Sequence, residues 1–146
     1  MAQLHKSVAT LRICGDDLNP DEITDLLGTS PSHAQRKGDK IVGRKTGHVR
    51  IAKSGMWRLE ASDCEPENLD GQVSELLNKT NCDLSVWQRL SSRYRIDLFC
   101  GLFMTESNEG LSLSPQSLTA LGERGIEIGF DIYGPLDEKC DTRLIE

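Results

Sequence analysis

Apolar and polar residues alternate from Val8 to Cys14, with Ala9, Leu11 and Ile13 on one side and Thr10 and Arg12 on the other. That is the period of a strand with one face in a core. Gly15-Asp16-Asp17 turns the chain into Leu18–Gly28, which carries its own start and stop signals. Asn19 is placed as N-cap, Pro20 as the first helical residue, and Glu22 three residues after the cap as the second half of a capping box. Ile23, Leu26 and Leu27 form an apolar stripe, and Gly28 supplies a left-handed stop.

The pattern continues less regularly. A strand is predicted from near Ala34 to Gly38-Asp39, and another at Val49 to Ile51, followed by a turn at Ser54-Gly55 and a strand over Met56 to Ala61. These last two are expected to pair as a hairpin. Asp63 to Glu67 opens a second helix, with Leu69, Val73, Leu76 and Leu77 at helical spacing and Asn78 to Asn81 as breaker. Leu84, Val86 and Gln88 alternate as a strand to Leu90, and Ser91-Ser92 is read as a turn. The longest strand, Arg93 to Met104, changes from polar to apolar on its second face, which predicts a central position. Trp87 falls near the polar start of the preceding strand and is expected to be partly exposed.

An echo of the first helix follows at Leu113–Gly122. Leu18, Pro20, Thr24 and Leu26 recur as Leu113, Pro115, Thr119 and Leu121, with Ser114 in the place of Asn19. Ile126 to Tyr133 alternates as a last strand, ended by Gly134-Pro135. Strand and Pro-initiated helix thus occur twice, which suggests two split βαβ units side by side. Cap-Pro-x-x-apolar is also a general helix start, so chance explains the echo equally well. The fold class expected is α+β: two layers, a mixed and mostly antiparallel sheet, and helices mainly on one face, related to the ferredoxin-like arrangement. One domain is expected over 1–146, with an ordered core at about 8–134 and a charged tail at 135–146.

Composition narrows the classes further. Apolar residues make up 37% and charged residues 27%, ordinary for a globular chain. The longest apolar run, Ile96 to Met104, contains Asp97 and is too short to span a bilayer, which needs about 20 residues. Met1 to Val8 is not followed by a long apolar region, so no secretory signal is expected and the location expected is cytoplasmic. The five cysteines (Cys14, Cys64, Cys82, Cys100, Cys140) form no C-x-x-C pair, and His5, His33 and His48 form no local ligand set with them. No metal or other cofactor is expected.

Charge is the uneven quantity. The chain carries −6 overall, yet residues 36–58 hold eight bases against the single acid Asp39, a local +7 that leaves −13 elsewhere.

Several of these segments also resemble a known family. The run Gly15-Asp16-Asp17-Leu18-Asn19-Pro20 with Ile23 and Leu26-Leu27-Gly28, then Pro31 and Lys37-Gly38-Asp39, is similar to a bacterial family called "domain of unknown function 4279". The Gly55-x-Trp57-x-Leu59 segment, the Leu113-x-Pro115 helix and Phe130-Asp131-Ile132-Tyr133 extend the resemblance over about Val8 to Gly134. It implies a small bacterial α+β domain and carries over no activity and no catalytic residue.

Candidate chemistry therefore rests on the basic segment. Arg36, Lys37, Arg44, Lys45 and Arg50, with Trp57 as an aromatic neighbour, are the candidate binding residues. The sharp account makes them a surface for an acidic protein partner; the plain one makes them a solvated loop complementing the chain's own acids. Trp57 has a similar pair of accounts, ligand platform or core anchor. Nucleic acid fits poorly with a pI near 5.1. No nucleophile elbow, zinc-protease signature or local Cys/His pair is present, and the acids at Asp16-Asp17 and Asp63/Glu65/Glu67 are accounted for by helix starts. The functional expectation is a protein-binding module, acting through the basic hairpin region or an uncovered sheet edge. A toxin-neutralising, immunity-type role is one version, and a homodimer through a sheet edge is compatible with it. The alternative is a small-anion-binding or hydrolytic enzyme using 36–58.

Overall fold

The computed structural model describes residues 2–136. In chain order its elements are β1 (Ala2–Gln3), β2 (Lys6–Gly15), α1 (Pro20–Leu27), β3 (His33–Gln35), β4 (Lys40–Val42), β5 (Val49–Ile51), β6 (Gly55–Glu60), α2 (Leu69–Lys79), α3 (Leu84–Arg93), β7 (Arg95–Phe103), β8 (Glu109–Gly110), α4 (Pro115–Glu123) and β9 (Glu127–Tyr133). Of the tail expected at 135–146, everything from Asp137 onward lies outside the described residues.

Five strands form the main sheet in the order β3-β6-β2-β7-β9. β2 pairs antiparallel with both β6 and β7, β3 pairs antiparallel with β6, and β9 lies parallel to β7. The order β7-β2-β6-β3, with directions alternating, is the split β-α-β-β-α-β arrangement. α4 and β9 extend it by one ordinary parallel crossover. The two echoed units are therefore unlike in topology: β6 is inserted between β2 and β3, whereas β7 and β9 are neighbours.

One sheet face makes the core. Ala9, Leu11 and Ile13 of β2 join Trp57, Leu59, Ile96, Leu98, Cys100 and Leu102 in a cluster with Ile23, Leu27, Leu69, Val73, Leu76, Trp87, Leu90 and Leu121 from the four helices. Each fully buried aliphatic side chain there contributes about 1.5–3 kcal/mol. The α1 signals act largely as expected. Asn19 Oδ1 accepts from the Asp21 amide and Gly28 takes φ 73°, donating its N–H to Thr24. Glu22 does not complete a capping box, because its carboxylate instead accepts from Arg93 at 2.8 Å.

Several expectations change. Residues 84–93 form a helix, not a strand and turn: Asp83 caps it through the Ser85 amide, and Trp87 and Leu90, three apart, turn inward. Trp87 is wholly buried, its indole N–H donating to the Asn81 carbonyl at 2.7 Å. β5 does not pair with β6, whose two edges are taken by β2 and β3; it pairs with β4. Helix α2 starts at Leu69, after the acidic stretch, with Asn68 as cap. Gly71, in the first turn of that helix, leaves room for the Asn68 side chain that caps it, and a methyl there would collide with it.

A buried polar bracket joins α2 to β2. Gln72 is 1% exposed and donates to the Ser7 and Ser62 carbonyls, both at 2.9 Å, while Ser7 Oγ donates to Gln72 Oε1 at 2.7 Å. Replacing Gln72 by Leu leaves these groups without their partner, so urea unfolding should show a loss of about 2–3 kcal/mol. A loss below about 1 kcal/mol would show that the bracket contributes no more than a surface hydrogen bond.

Asp70 links α2 to α4, accepting from the Ser114 amide at 2.9 Å and from Ser117 Oγ at 2.7 Å. The backbone bond from Ser114, above all, holds its pKa below the ordinary carboxylate value. A depressed folded-state pKa adds stability above the unfolded-state value that is lost as pH falls through the folded one. Thermal unfolding between about pH 5 and 2 should therefore show wild type losing stability faster than Asp70→Asn. Parallel curves would remove Asp70 from the acid response.

Candidate functional site

The basic segment divides into three parts with different surroundings. Its first two cations are used inside the molecule. Arg36 Nη2 donates to Asn19 Oδ1 at 2.9 Å and to Asp21 at 3.4 Å, and Lys37 lies 3.5 Å from Asp16. Both pairs are largely exposed and so add little stability. They neutralise the β2–α1 turn, which is the plain account of these two residues.

The middle part is a hairpin that stands outside the main sheet. Among the described residues β4 and β5 pair only with each other, Lys40 facing Ile51, Ile41 facing Arg50 and Val42 facing Val49. Gly47, at φ 65°, helps close the tip and donates to the Gly43 carbonyl at 3.0 Å. At the base the Gly38 amide donates to Ala52, and Ala52 donates to Asp39. Lys40, Arg44, Lys45, Arg50 and Lys53 are all exposed, and none has an ion-pair partner among the described residues. Pleating places Lys40, Val42, Val49 and Ile51 on one side. Val42, Val49 and Ile51 are each about 60% exposed (61, 59 and 58%). The hairpin is thus a basic arm with an apolar stripe.

Trp57 is not part of that surface. It is fully buried in the core, and its indole N–H donates to Thr24 Oγ1 at 3.1 Å, tying β6 to α1. Of the six candidate residues, the structure groups Arg44, Lys45 and Arg50 on the arm, sets Arg36 and Lys37 against the turn, and removes Trp57 to the interior.

The last part of the segment reaches the sheet face opposite the helices, where cross-strand register aligns five charged or titratable residues. His33, Arg58, Arg12, Asp97 and Glu127 stand side by side, one from each strand. Arg12 binds Asp97 through two hydrogen bonds, at 2.8 and 2.6 Å, and lies over the Phe99 ring. Hydrogen bonding to Asp97 raises the Arg12 pKa. Arg58, half-buried beside it, has no acidic partner among the described residues, and its Nε is buried without a hydrogen-bond acceptor. Sequence alone missed this row, because its members are spread from 12 to 127 and only pairing brings them together.

Other candidate chemistry is accounted for locally. Asp63 and Glu65 face Lys6 at 3.7 and 4.0 Å, and Glu67 accepts from the Leu69 amide. Cys100 is buried, its thiol pushed up to about 12 by desolvation, and burial raises Cys14 as well; neither is an activated nucleophile. Among the described residues no group of three His, Cys, Asp or Glu is placed to hold a metal ion. A groove of ≈ 560 Å³ between α2 and α4 holds Asp70, already bonded to Ser114 and Ser117. A second, of ≈ 550 Å³, is lined by Phe103, Met104, Ile132, Tyr133, Gly134 and Leu136. Neither involves residues 36–58. No helix among the described residues is long and apolar enough to cross a membrane.

No curated protein and no solved structure matches the chain. One family model does, over residues 3–135, nearly all of the chain. The chain belongs to the family described as Domain of unknown function (DUF4279).

Proposed function

We propose that this protein is a cytoplasmic bacterial binding module that engages an acidic partner protein through the β4–β5 arm. The observation that carries this reading is the unmatched charge: five exposed cations, without ion-pair partners among the described residues, lie on or beside the hairpin that carries the uncovered stripe of Val42, Val49 and Ile51. Cations of this kind steer an acidic surface inward, and apolar side chains hold it once water is displaced. A toxin-neutralising role is one form of the proposal, supported by the acidity of the chain outside 36–58.

The test compares wild type with Arg44→Glu/Lys45→Glu as baits, with Lys79→Glu as a charge-reversal control away from the arm. An acidic protein captured by wild type and control should be lost from the arm variant and should be released by moderate salt. Capture that is equal for all three sinks the proposal.

Arg58 supports a second reading, small-anion binding. A half-buried guanidinium without a counter-ion among the described residues, beside Arg12 and His33, suits a carboxylate or phosphate. Inorganic phosphate should raise the unfolding midpoint of wild type but not of Arg58→Met. Equal shifts would remove Arg58 as the site.

A further inference from the structure

The second edge of the main sheet leads in a different direction from the arm. β9 has β7 on one side and no strand on the other among the described residues. The Met104 amide donates to the Tyr133 carbonyl, so the backbone groups of Tyr133 point toward β7. Alternation along the strand turns Asp131, Gly129 and Glu127 the same way and aims the N–H and C=O of Ile128, Phe130 and Ile132 outward. The side chains of those three residues lie on the helix-bearing face, in register with Leu98, Cys100 and Leu102 of the core. There the cover runs out. Ile128 is half-buried, while Phe130 is 47% and Ile132 60% exposed. An uncovered edge with apolar side chains is a template for another strand.

We infer that the strand it takes is β9 of a second copy, paired antiparallel about a two-fold axis through Phe130. The sequence Glu127-Ile-Gly-Phe-Asp-Ile-Tyr133 is close to a palindrome in its apolar positions. Centred on Phe130, Ile128 faces Ile132 of the other copy, Phe130 faces its own equivalent, and Ile132 faces Ile128. All three facing pairs have outward backbone groups, so each pair exchanges two N–H···O bonds. The exposed Phe130 and Ile132 cover one another on the helix-bearing face. On the opposite face Asp131 meets Gly129, and Glu127 meets Tyr133.

Charge selects this register over its neighbours. Centring on Gly129 would set Glu127 against Asp131 of the other copy, and centring on Asp131 would set that acid against itself. Like charges directly opposite are destabilising. Centring on Ile128 or Ile132 moves the overlap toward one end of the strand and leaves part of the edge unpaired. The pairing is isologous and closed: it consumes the β9 edge on both copies and joins two five-stranded sheets into one.

Sedimentation equilibrium on the full chain, across roughly micromolar to hundreds of micromolar concentrations, should give the mass of two chains, falling to one on dilution. Phe130→Lys and Ile132→Lys, both at exposed positions, should stay monomeric with unchanged circular dichroism, since a lysine on an edge blocks pairing. Arg44→Glu/Lys45→Glu should remain dimeric, which separates this outcome from the arm. Hydrogen exchange gives an independent measure: the Ile128, Phe130 and Ile132 amides should slow with rising concentration, whereas the Gly129 and Asp131 amides should not change. A wild type that stays monomeric throughout, or lysine variants that still dimerise, would overturn the proposal.

Discussion

Strand β2 is the constraint on which the other elements depend. It is hydrogen-bonded on both sides, to β6 and β7, along most of its length, and its core side carries Ala9, Leu11 and Ile13 with almost no exposure. A strand held this way cannot slip by one residue without turning its apolar set toward the open face. At its start, Ser7 also anchors α2 through Gln72, so the first turn of that helix and the sheet share one buried polar network. The helices then find their places by covering what the sheet leaves apolar: α1 over β6, α2 over β2, α3 over β7 and α4 over β9.

That frame sorts the basic residues by what lies within reach. Arg36 and Lys37 leave β3 near the acidic β2–α1 turn and are neutralised there. Arg58 is carried onto the open sheet face, next to an arginine already committed to Asp97. The five cations between them fall on or beside a hairpin whose strands pair with each other and not with the main sheet. One run of sequence therefore acquires three electrostatic environments, and only the middle one faces outward as a unit. The proposed dimer edge, at the opposite side of the sheet, is independent of it.

Much of the fold was legible because local chemistry specified it. The caps at Asn19 and Ser114, the prolines after them and the left-handed Gly28 place α1 and α4 within a residue or two of their observed ends. Alternation located β2, β6 and β7 because each has one face in the core, and β9 because its apolar positions fall on that same face of the sheet. The misreadings share a cause as well. Over 84–90 a short apolar run satisfies both periods, and Trp87 and Leu90 become the buried pair only once α3 lies on β7. The capping box failed because Arg93, 71 residues away in sequence, competes for Glu22. Val49 to Ile51 was recognisable as a strand, but its partner was not, since partner choice depends on which edges β2 and β3 have already filled.

By itself, then, the sequence determined the caps of α1 and α4, the apolar faces of most strands, the family and the concentration of positive charge in 36–58. These follow from interactions within a few residues or from counting. Tertiary structure alone decided which cations are neutralised, that Trp57 and Trp87 are core anchors, and that His33, Arg58, Arg12, Asp97 and Glu127 form one row. It also decided which backbone groups of β9 point outward. Such facts depend on strand register and on which edges remain open, and those are set by competition among segments far apart in the chain.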